Sequence, residues 1–77
     1  MPPRFTHHLR ERLRKRKISE ADVQAVVARP VNVVHDPQNR SYKLFGWTGD
    51  GRRIYVAVRE DSWGTGDPVL KTAVEVS

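Results

Sequence analysis

The chain has 77 residues and no cysteine, so it can form one hydrophobic core, without disulfide bonds. Fourteen Lys and Arg residues against nine Asp and Glu residues give a formal net charge of +5. The apolar runs are far shorter than the roughly 20 residues that cross a bilayer, and the polar start does not resemble a signal peptide. We therefore expect a single soluble domain over residues 1–77, located in the cytoplasm, and exclude a membrane protein.

Residues suited to metal or nucleotide binding are sparse. The three histidines, at positions 7, 8 and 35, make no tight cluster of ligands, and no cysteine supplements them. The glycines at 49 and 51 belong to a hairpin turn, since a strand follows them where a phosphate-binding loop requires a helix. Neither a metal nor another cofactor is predicted.

The positive charge is concentrated near the start of the chain. Seven of the fourteen basic residues lie between Arg4 and Lys17. Such a block attracts polyphosphates, an anionic membrane surface or an acidic protein, and charge alone does not choose among them.

Two helices are predicted first. Residues 5–17 form the first, because Phe5, Leu9 and Leu13 recur every four residues among good helix formers. Ser19 is the expected N-cap of the second, which should end near residue 28 because Pro30 disfavours helical geometry at the preceding residue. Ile18 is placed to pack on Val23, and the apolar stripe of this helix comprises Val23, Val26 and Val27.

After Pro30 the apolar period changes to two, which indicates β-strands. The predicted strands are 31–35, 40–48, 52–59 and 69–76. In the third, Ile54, Val56 and Val58 should point one way and Tyr55, Ala57 and Arg59 the other. In the last, the expected alternation sets Leu70, Thr72, Val74 and Val76 against Lys71, Ala73 and Glu75. The fold class is thus α+β: two N-terminal helices packed on one face of an antiparallel sheet of about four strands.

On a helical wheel the first helix places Arg12 and Arg16 beside its apolar stripe, with His8 at the edge of the stripe. Burial of unpaired arginines is costly, so both should emerge where the helix overhangs the edge of the sheet. His8, Arg12 and Arg16 would then line one groove. A basic helix face can also be plain solvated surface, and His8 can be an ordinary surface histidine; both alternatives stay open.

Four further side chains on the predicted sheet are candidates. Lys71 and Tyr55 can reach the groove only if it opens at their face or edge of the sheet. Arg40 and Lys43 are candidates for contacts with an RNA backbone, or else ordinary surface charges.

Aromatic residues beside positive charge can hold single-stranded RNA by stacking on its bases, and Tyr42, Phe45, Trp47 and Trp63 are open to this interpretation. A domain this small needs large aromatic residues in its core, and Phe45 and Trp47 are expected there. Trp63 is expected to be exposed in its glycine-flanked loop, where it can stack on a base or dock a partner protein.

The first helix and the turn after it carry a family signature. The pattern is His8-Leu9-x-x-Arg12-Leu13-x-x-Arg16-Lys17-Ile18-Ser19, followed by Val23. It resembles that of a family of small bacterial domains of unknown function related to the RelE-like and BrnT-like toxins of type II toxin–antitoxin systems. Lys17 stands where that pattern commonly has glycine. The likeness covers nearly the whole chain in element order, and its specific part is confined to residues 8–23.

The resemblance implies the helix-plus-antiparallel-sheet fold of RelE-like and other microbial ribonucleases, together with RNA cleavage. It also implies RNA as the substrate, including mRNA on the ribosome, a cognate antitoxin as a protein partner, and assembly into an oligomer. Metal-free cleavage needs a base, an acid and cations at the phosphate. His8 suits proton transfer, since imidazole titrates near neutrality, and Arg12 and Arg16 suit phosphate binding. Lys71 and Tyr55 complete the candidate catalytic set, and Arg12, Arg16, Arg40 and Lys43 the candidate RNA-binding set.

Two other classes of function fit the same residues. The first is a basic module that binds nucleic acid without cutting it, with affinity that falls steeply as salt rises. The second is an interaction protein whose basic helix neutralises an acidic partner.

Overall fold

The computed structural model describes residues 5–76 of the chain. In chain order its helices and strands are α1 (His7–Arg16), α2 (Glu20–Ala28), β1 (Asn32–Asp36), β2 (Ser41–Trp47), β3 (Arg53–Arg59) and β4 (Leu70–Glu75). The four strands form one antiparallel sheet in the order β1-β2-β3-β4. The predicted α+β arrangement of two helices followed by four antiparallel strands is confirmed. None of the helices in this part of the chain has the length and apolar character needed to cross a bilayer.

Both helices begin at a hydroxyl side chain that caps the first turn. Thr6 Oγ1 accepts a hydrogen bond from the Leu9 amide at 3.1 Å, so α1 starts two residues later than predicted. Ser19 Oγ accepts from the Asp22 amide at 3.0 Å, as expected for the predicted N-cap of α2. The predicted end of α2 at residue 28, before Pro30, is also confirmed.

Helix α1 ends in a left-handed residue. Lys17 has φ 56° and ψ 40°, and the Ile18 amide donates to the Leu13 carbonyl at 3.0 Å. This is a Schellman-type ending, in which the left-handed position is usually glycine because a Cβ is disfavoured there. The glycine of the signature described above therefore has a conformational reason, and this chain has a lysine in the same conformation.

The core lies between the helices and one face of the sheet. In the strands, residues of alternating position are buried there, because successive side chains point to opposite faces. Its buried members are Leu9, Leu13, Ile18, Val23, Val26, Leu44, Ile54, Val56, Val58, Leu70 and Ala73. The predicted inward row of β3, Ile54, Val56 and Val58, is confirmed.

Helix α2 approaches β2 closely at Gly46. A Cβ atom added to this glycine would lie 2.8 Å from Val26 Cγ2 and 3.2 Å from Val26 Cγ1. Val26 is itself buried and its branched side chain has little freedom to move away. The absence of a side chain at position 46 therefore sets the distance between helix and sheet.

The alternation predicted for β4 is wrong at its first residues. Thr72 pairs with Ala57, but Leu70 pairs with Val58, so Lys71 is an extra residue in a β-bulge. Leu70 and Ala73 are consequently both buried on the helix side.

The expected core positions of two aromatic residues also need correction. Trp47 is 57% exposed, and Phe45 is half-buried on the face of the sheet that the helices do not cover, here called the open face. The reason is alternation in β2, where Leu44 and Gly46 already face the helices. Trp63, expected in an exposed loop, is instead partly buried against the core.

Replacing Lys17 with glycine should stabilise the protein. Glycine removes the Cβ penalty of the left-handed conformation, and we expect a gain of about 1 kcal/mol in the free energy of unfolding. Chemical denaturation measures it, with Lys17→Ala as the control that removes the charge but keeps the Cβ. Equal stabilities of the two variants would contradict the conformational explanation.

Replacing Gly46 with alanine should destabilise the protein by about 1–3 kcal/mol, because the new methyl group overpacks against Val26. Gly66→Ala is the matched control, since a Cβ at that position meets no atom within 4 Å. The double variant Gly46→Ala/Val26→Ala should lose less stability than the sum of its single changes. A Gly46→Ala protein as stable as Gly66→Ala would show that the contact is unimportant.

Candidate functional site

Helix α1 lies along β4, which is an edge strand of the sheet. Arg16 Nη1 donates hydrogen bonds to Thr72 Oγ1 at 2.9 Å and to the Ala73 carbonyl at 2.8 Å. Arg52 Nη2 donates to the Lys17 carbonyl at 2.6 Å, and its Nη1 lies 3.7 Å from Glu75 Oε1. These contacts hold the end of α1 beside the Glu75 end of β4.

The three helix residues predicted for the site form an exposed ridge along α1. His8, Arg12 and Arg16 are spaced by four residues, so they follow one side of the helix. Within residues 5–76, His8 and Arg12 have no hydrogen bond or ion pair, whereas Arg16 is fixed to β4. We call these three residues the α1 ridge. The sheet has two cavities, one containing Lys43 and Tyr55 and a neighbouring one at Arg40, and the α1 ridge lines neither of them. Its groups therefore face solvent instead of a closed groove.

The basic residues on the other side of α1 make local contacts. Arg10 Nε lies 3.3 Å from Glu20 Oε1 on α2, and His7 Nε2 lies 3.1 Å from Glu11 Oε1. Arg10 and Arg14 are both exposed on this side of the helix. The α1 ridge is thus distinct from the remaining charge of the helix, since part of the latter is neutralised by glutamates.

A cavity of about 240 Å³ opens on the open face of the sheet. Its lining consists of Asp36, Asn39, Ser41, Lys43, Tyr55, Ala57, Lys71 and Thr72. We call it the sheet cavity. It brings together three of the sequence-predicted residues, Lys43, Tyr55 and Lys71, with Lys43 Nζ 5.2 Å from the centre of the Tyr55 ring.

Lys71 reaches across the sheet to β2. Its Nζ donates to the Asn39 carbonyl at 2.7 Å and to Ser41 Oγ at 2.8 Å. The bulge in β4 lets this side chain lie on the open face, and small Ala57 on the intervening strand leaves room for it. The position of Lys71 therefore depends on the pairing of β3 with β4.

Thr72 connects the α1 ridge to the sheet cavity. Its hydroxyl oxygen accepts from Arg16, and the same residue lines the cavity. The guanidinium of Arg16 therefore lies at the sheet edge, where the α1 ridge meets the sheet cavity.

Arg40 belongs to a neighbouring, larger cavity of about 560 Å³. Its lining comprises Asn39, Arg40, Arg59, Glu60, Asp61 and Lys71. Arg59 is paired with Asp61 at 2.6 Å. Because Asn39 and Lys71 line both cavities, Arg40 extends the basic surface around the sheet cavity and does not belong to the α1 ridge.

Asp36 is a residue of the sheet cavity that is absent from the site predicted from the sequence. Its Oδ2 accepts a hydrogen bond from Asn39 Nδ2 at 2.8 Å and lies 3.7 Å from Lys43 Nζ. The Asn39 hydrogen bond, more than the charge of Lys43, holds the pKa of Asp36 below its ordinary value. Asp36 is thus a carboxylate at neutral pH and a hydrogen-bond acceptor in the cavity. The sequence signal for this position is β-alternation. Asp36 follows Val34 by two residues, so both lie on one face of the sheet, and Val34 pairs with Lys43.

The third histidine, His35, makes its contacts outside the α1 ridge and the sheet cavity. His35 Nε2 lies 2.5 Å from Glu60 Oε2, and its ring stacks on Tyr42 with centroids 4.5 Å apart. In the part of the chain that the structure describes, no group of three or more His, Cys, Asp and Glu residues is arranged to hold a metal ion.

Comparison with known protein families gives a match over nearly the whole chain. A family model described as a domain of unknown function, DUF4258, matches residues 5–75, which include both helices and all four strands. Neither the curated proteins nor the solved structures contain a significant match.

Replacing Asn39 with alanine should raise the pKa of Asp36 towards its ordinary value, because the largest cause of the lowering is removed. An NMR titration of the carboxyl carbons measures the shift, with Gln38→Ala as a control in the same turn. A lowered folded-state pKa stabilises the fold at pH values above the unfolded pKa, and this contribution is lost as pH falls through the folded pKa. Identical Asp36 titrations in the parent and Asn39→Ala would contradict the assignment.

Proposed function

This chain belongs to the DUF4258 family of domains of unknown function, and we propose that it acts on RNA as a metal-independent endoribonuclease of the RelE-like toxin type. The observation that carries the proposal is the α1 ridge: an exposed histidine and two arginines along the edge of β4, next to a sheet cavity that contains two lysines and a tyrosine. The helix signature that resembles this toxin family supports the same assignment.

Phosphate binding follows from the cations on both sides of the sheet edge. Guanidinium groups offer several planar donors to phosphate oxygens, and Arg16 is already oriented by its bonds to β4. Lys43 and Lys71 continue the positive charge on the open face beyond Thr72. An RNA backbone that crosses the edge of β4 therefore meets cations before and after it.

The chemistry needs one proton removed and one supplied. The 2′-oxygen attacks the adjacent phosphorus, its proton passes to a base, and the P–O bond to the 5′-oxygen breaks as that oxygen takes a proton from an acid. Histidine is the most common general acid or base in enzymes, and His8 fills one of these roles. Arg12 and Arg16 offset the charge that develops on the phosphate oxygens. Tyr55 and Lys71 are the candidates for the second proton transfer, on RNA that reaches over the sheet edge.

A second candidate function is RNA binding without cleavage. The observation in its favour is that nothing within residues 5–76 hydrogen-bonds to His8, whereas catalytic bases are commonly oriented by a further group. In this case the same cations hold the RNA backbone and His8 is a surface residue. The antitoxin partner that the resemblance implies would be an acidic protein covering the α1 ridge, in a larger assembly.

Purified protein incubated with RNA in buffer containing EDTA should cleave it, and His8→Ala should lower the rate at least about 100-fold, the usual contribution of a general acid or base. Arg12→Ala should weaken RNA binding as well. Arg14→Ala removes the same charge from the opposite side of α1 and is the matched control, expected to change both properties little. Induced expression in bacteria should arrest growth, and His8→Ala should relieve the arrest.

These measurements also separate the two candidates. Binding that weakens steeply with salt, without any change in the RNA, would select the non-catalytic function. Absence of RNA binding at low salt together with harmless expression would contradict both.

A further inference from the structure

Beside the sheet cavity, the open face carries a row of aromatic residues, Trp47, Phe45 and Tyr55, here called the aromatic strip. We infer that the aromatic strip binds unpaired bases, so that the RNA ligand of this domain is single-stranded. The inference rests on the proposed function as far as RNA is concerned, and its evidence is separate from the α1 ridge.

The strand register brings these side chains together. Phe45 of β2 pairs with Tyr55 of β3, and Trp47 pairs with Arg53, all on the open face. The Phe45 and Tyr55 rings have centroids 5.6 Å apart and an interplanar angle of 46°. Flat side chains on adjacent strands of a rigid sheet form a surface on which successive bases can stack, whatever their sequence.

Two cations lie over rings of the aromatic strip, on side chains long enough to move from a ring to a phosphate. The Arg53 guanidinium carbon lies 5.3 Å from the centre of the Phe45 ring, and Lys43 Nζ lies 5.2 Å from that of Tyr55. In single-strand binding sites, rings contact the bases while neighbouring cations contact the phosphates. An acidic polypeptide would match the charge of Arg53 and Lys43, but a carboxylate side chain has no aromatic ring to stack on the indole of Trp47.

Trp47 distinguishes a binding surface from a merely structural aromatic cluster. Phe45 and Tyr55 contact each other, which is a stabilising cross-strand pair in its own right. Trp47 is 57% exposed, and no ring, cation or hydrogen-bond partner contacts it within residues 5–76. It contributes nothing to the described core, so its indole is available to a ligand.

The aromatic strip discriminates against duplex RNA. In a duplex each base is already stacked and paired inside the helix, so only phosphates and groove edges reach a protein surface. The α1 ridge can bind either form through phosphates, whereas the strip requires bases that are unstacked and turned outward. A preference for single strands that depends on Trp47 is therefore the signature of the strip.

The test measures binding of a short labelled RNA, alone and annealed to its complement, by fluorescence anisotropy. Trp47→Ala should weaken single-strand binding about tenfold, the change expected for loss of one stacked base, and leave duplex binding as it is. Trp47→Phe should lose less affinity, while the quenching of tryptophan emission by single-stranded RNA should disappear. Val31→Ala is the control: this valine is 73% exposed and lies outside the aromatic strip. Near-ultraviolet circular dichroism verifies that each variant is folded.

Equal binding of single-stranded and duplex RNA, or full single-strand affinity in Trp47→Ala, would overturn this inference and leave the α1 ridge proposal standing. Trp47-dependent binding without cleavage would support the strip even though the nuclease proposal fails. DNA of the same sequence, as a second arm, tests the source of the bases, and binding to DNA alone would overturn RNA as the ligand. Polyglutamate that displaces the RNA as effectively as unlabelled RNA would favour an acidic protein and overturn base stacking.

Discussion

Burial of a single face of the sheet is the constraint on which the rest of this structure depends. Both helices pack on that face, where Leu44, Ile54, Val56 and Val58 are completely buried. Because strand side chains alternate, each inward residue leaves its neighbour on the other side, and no third layer covers that side in residues 5–76. The open face consequently carries lysines, arginines and aromatic rings that the core cannot use.

The same packing determines where the α1 ridge lies. Leu9 and Leu13 hold the helix over β4, and their helical period leaves Arg12 and Arg16 at the margin of the contact. Arg16 then satisfies the Ala73 carbonyl at the edge of the sheet, where an unpaired strand would otherwise offer its backbone to another chain. Arg16 thus both occupies a backbone acceptor at the edge of the sheet and carries positive charge to the boundary of the open face.

Features with local signals could be predicted, and features set by long-range pairing could not. The Ser19 cap and Pro30 bound α2 within the sequence itself, and the alternation of β3 fixes its buried row. The bulge at Lys71 depends on how β4 registers with β3, so nothing near Lys71 in the sequence reveals it. The expectation of a core position for Trp47 rests on the general need for large aromatic residues, whereas alternation with Leu44 indicates the opposite face.

The two halves of the candidate site therefore differ in origin but are joined in space. The α1 ridge follows from a helical period, whereas the sheet cavity forms only after β2, β3 and β4 have paired. Adjacent strands are about 4.8 Å apart, so β2 lies only about 10 Å from the edge that Arg16 occupies. A flexible single strand of RNA can turn over this edge within a few nucleotides, whereas a duplex is too stiff to follow it. The shape of the sheet edge thus favours the same form of ligand as the exposed ring of Trp47.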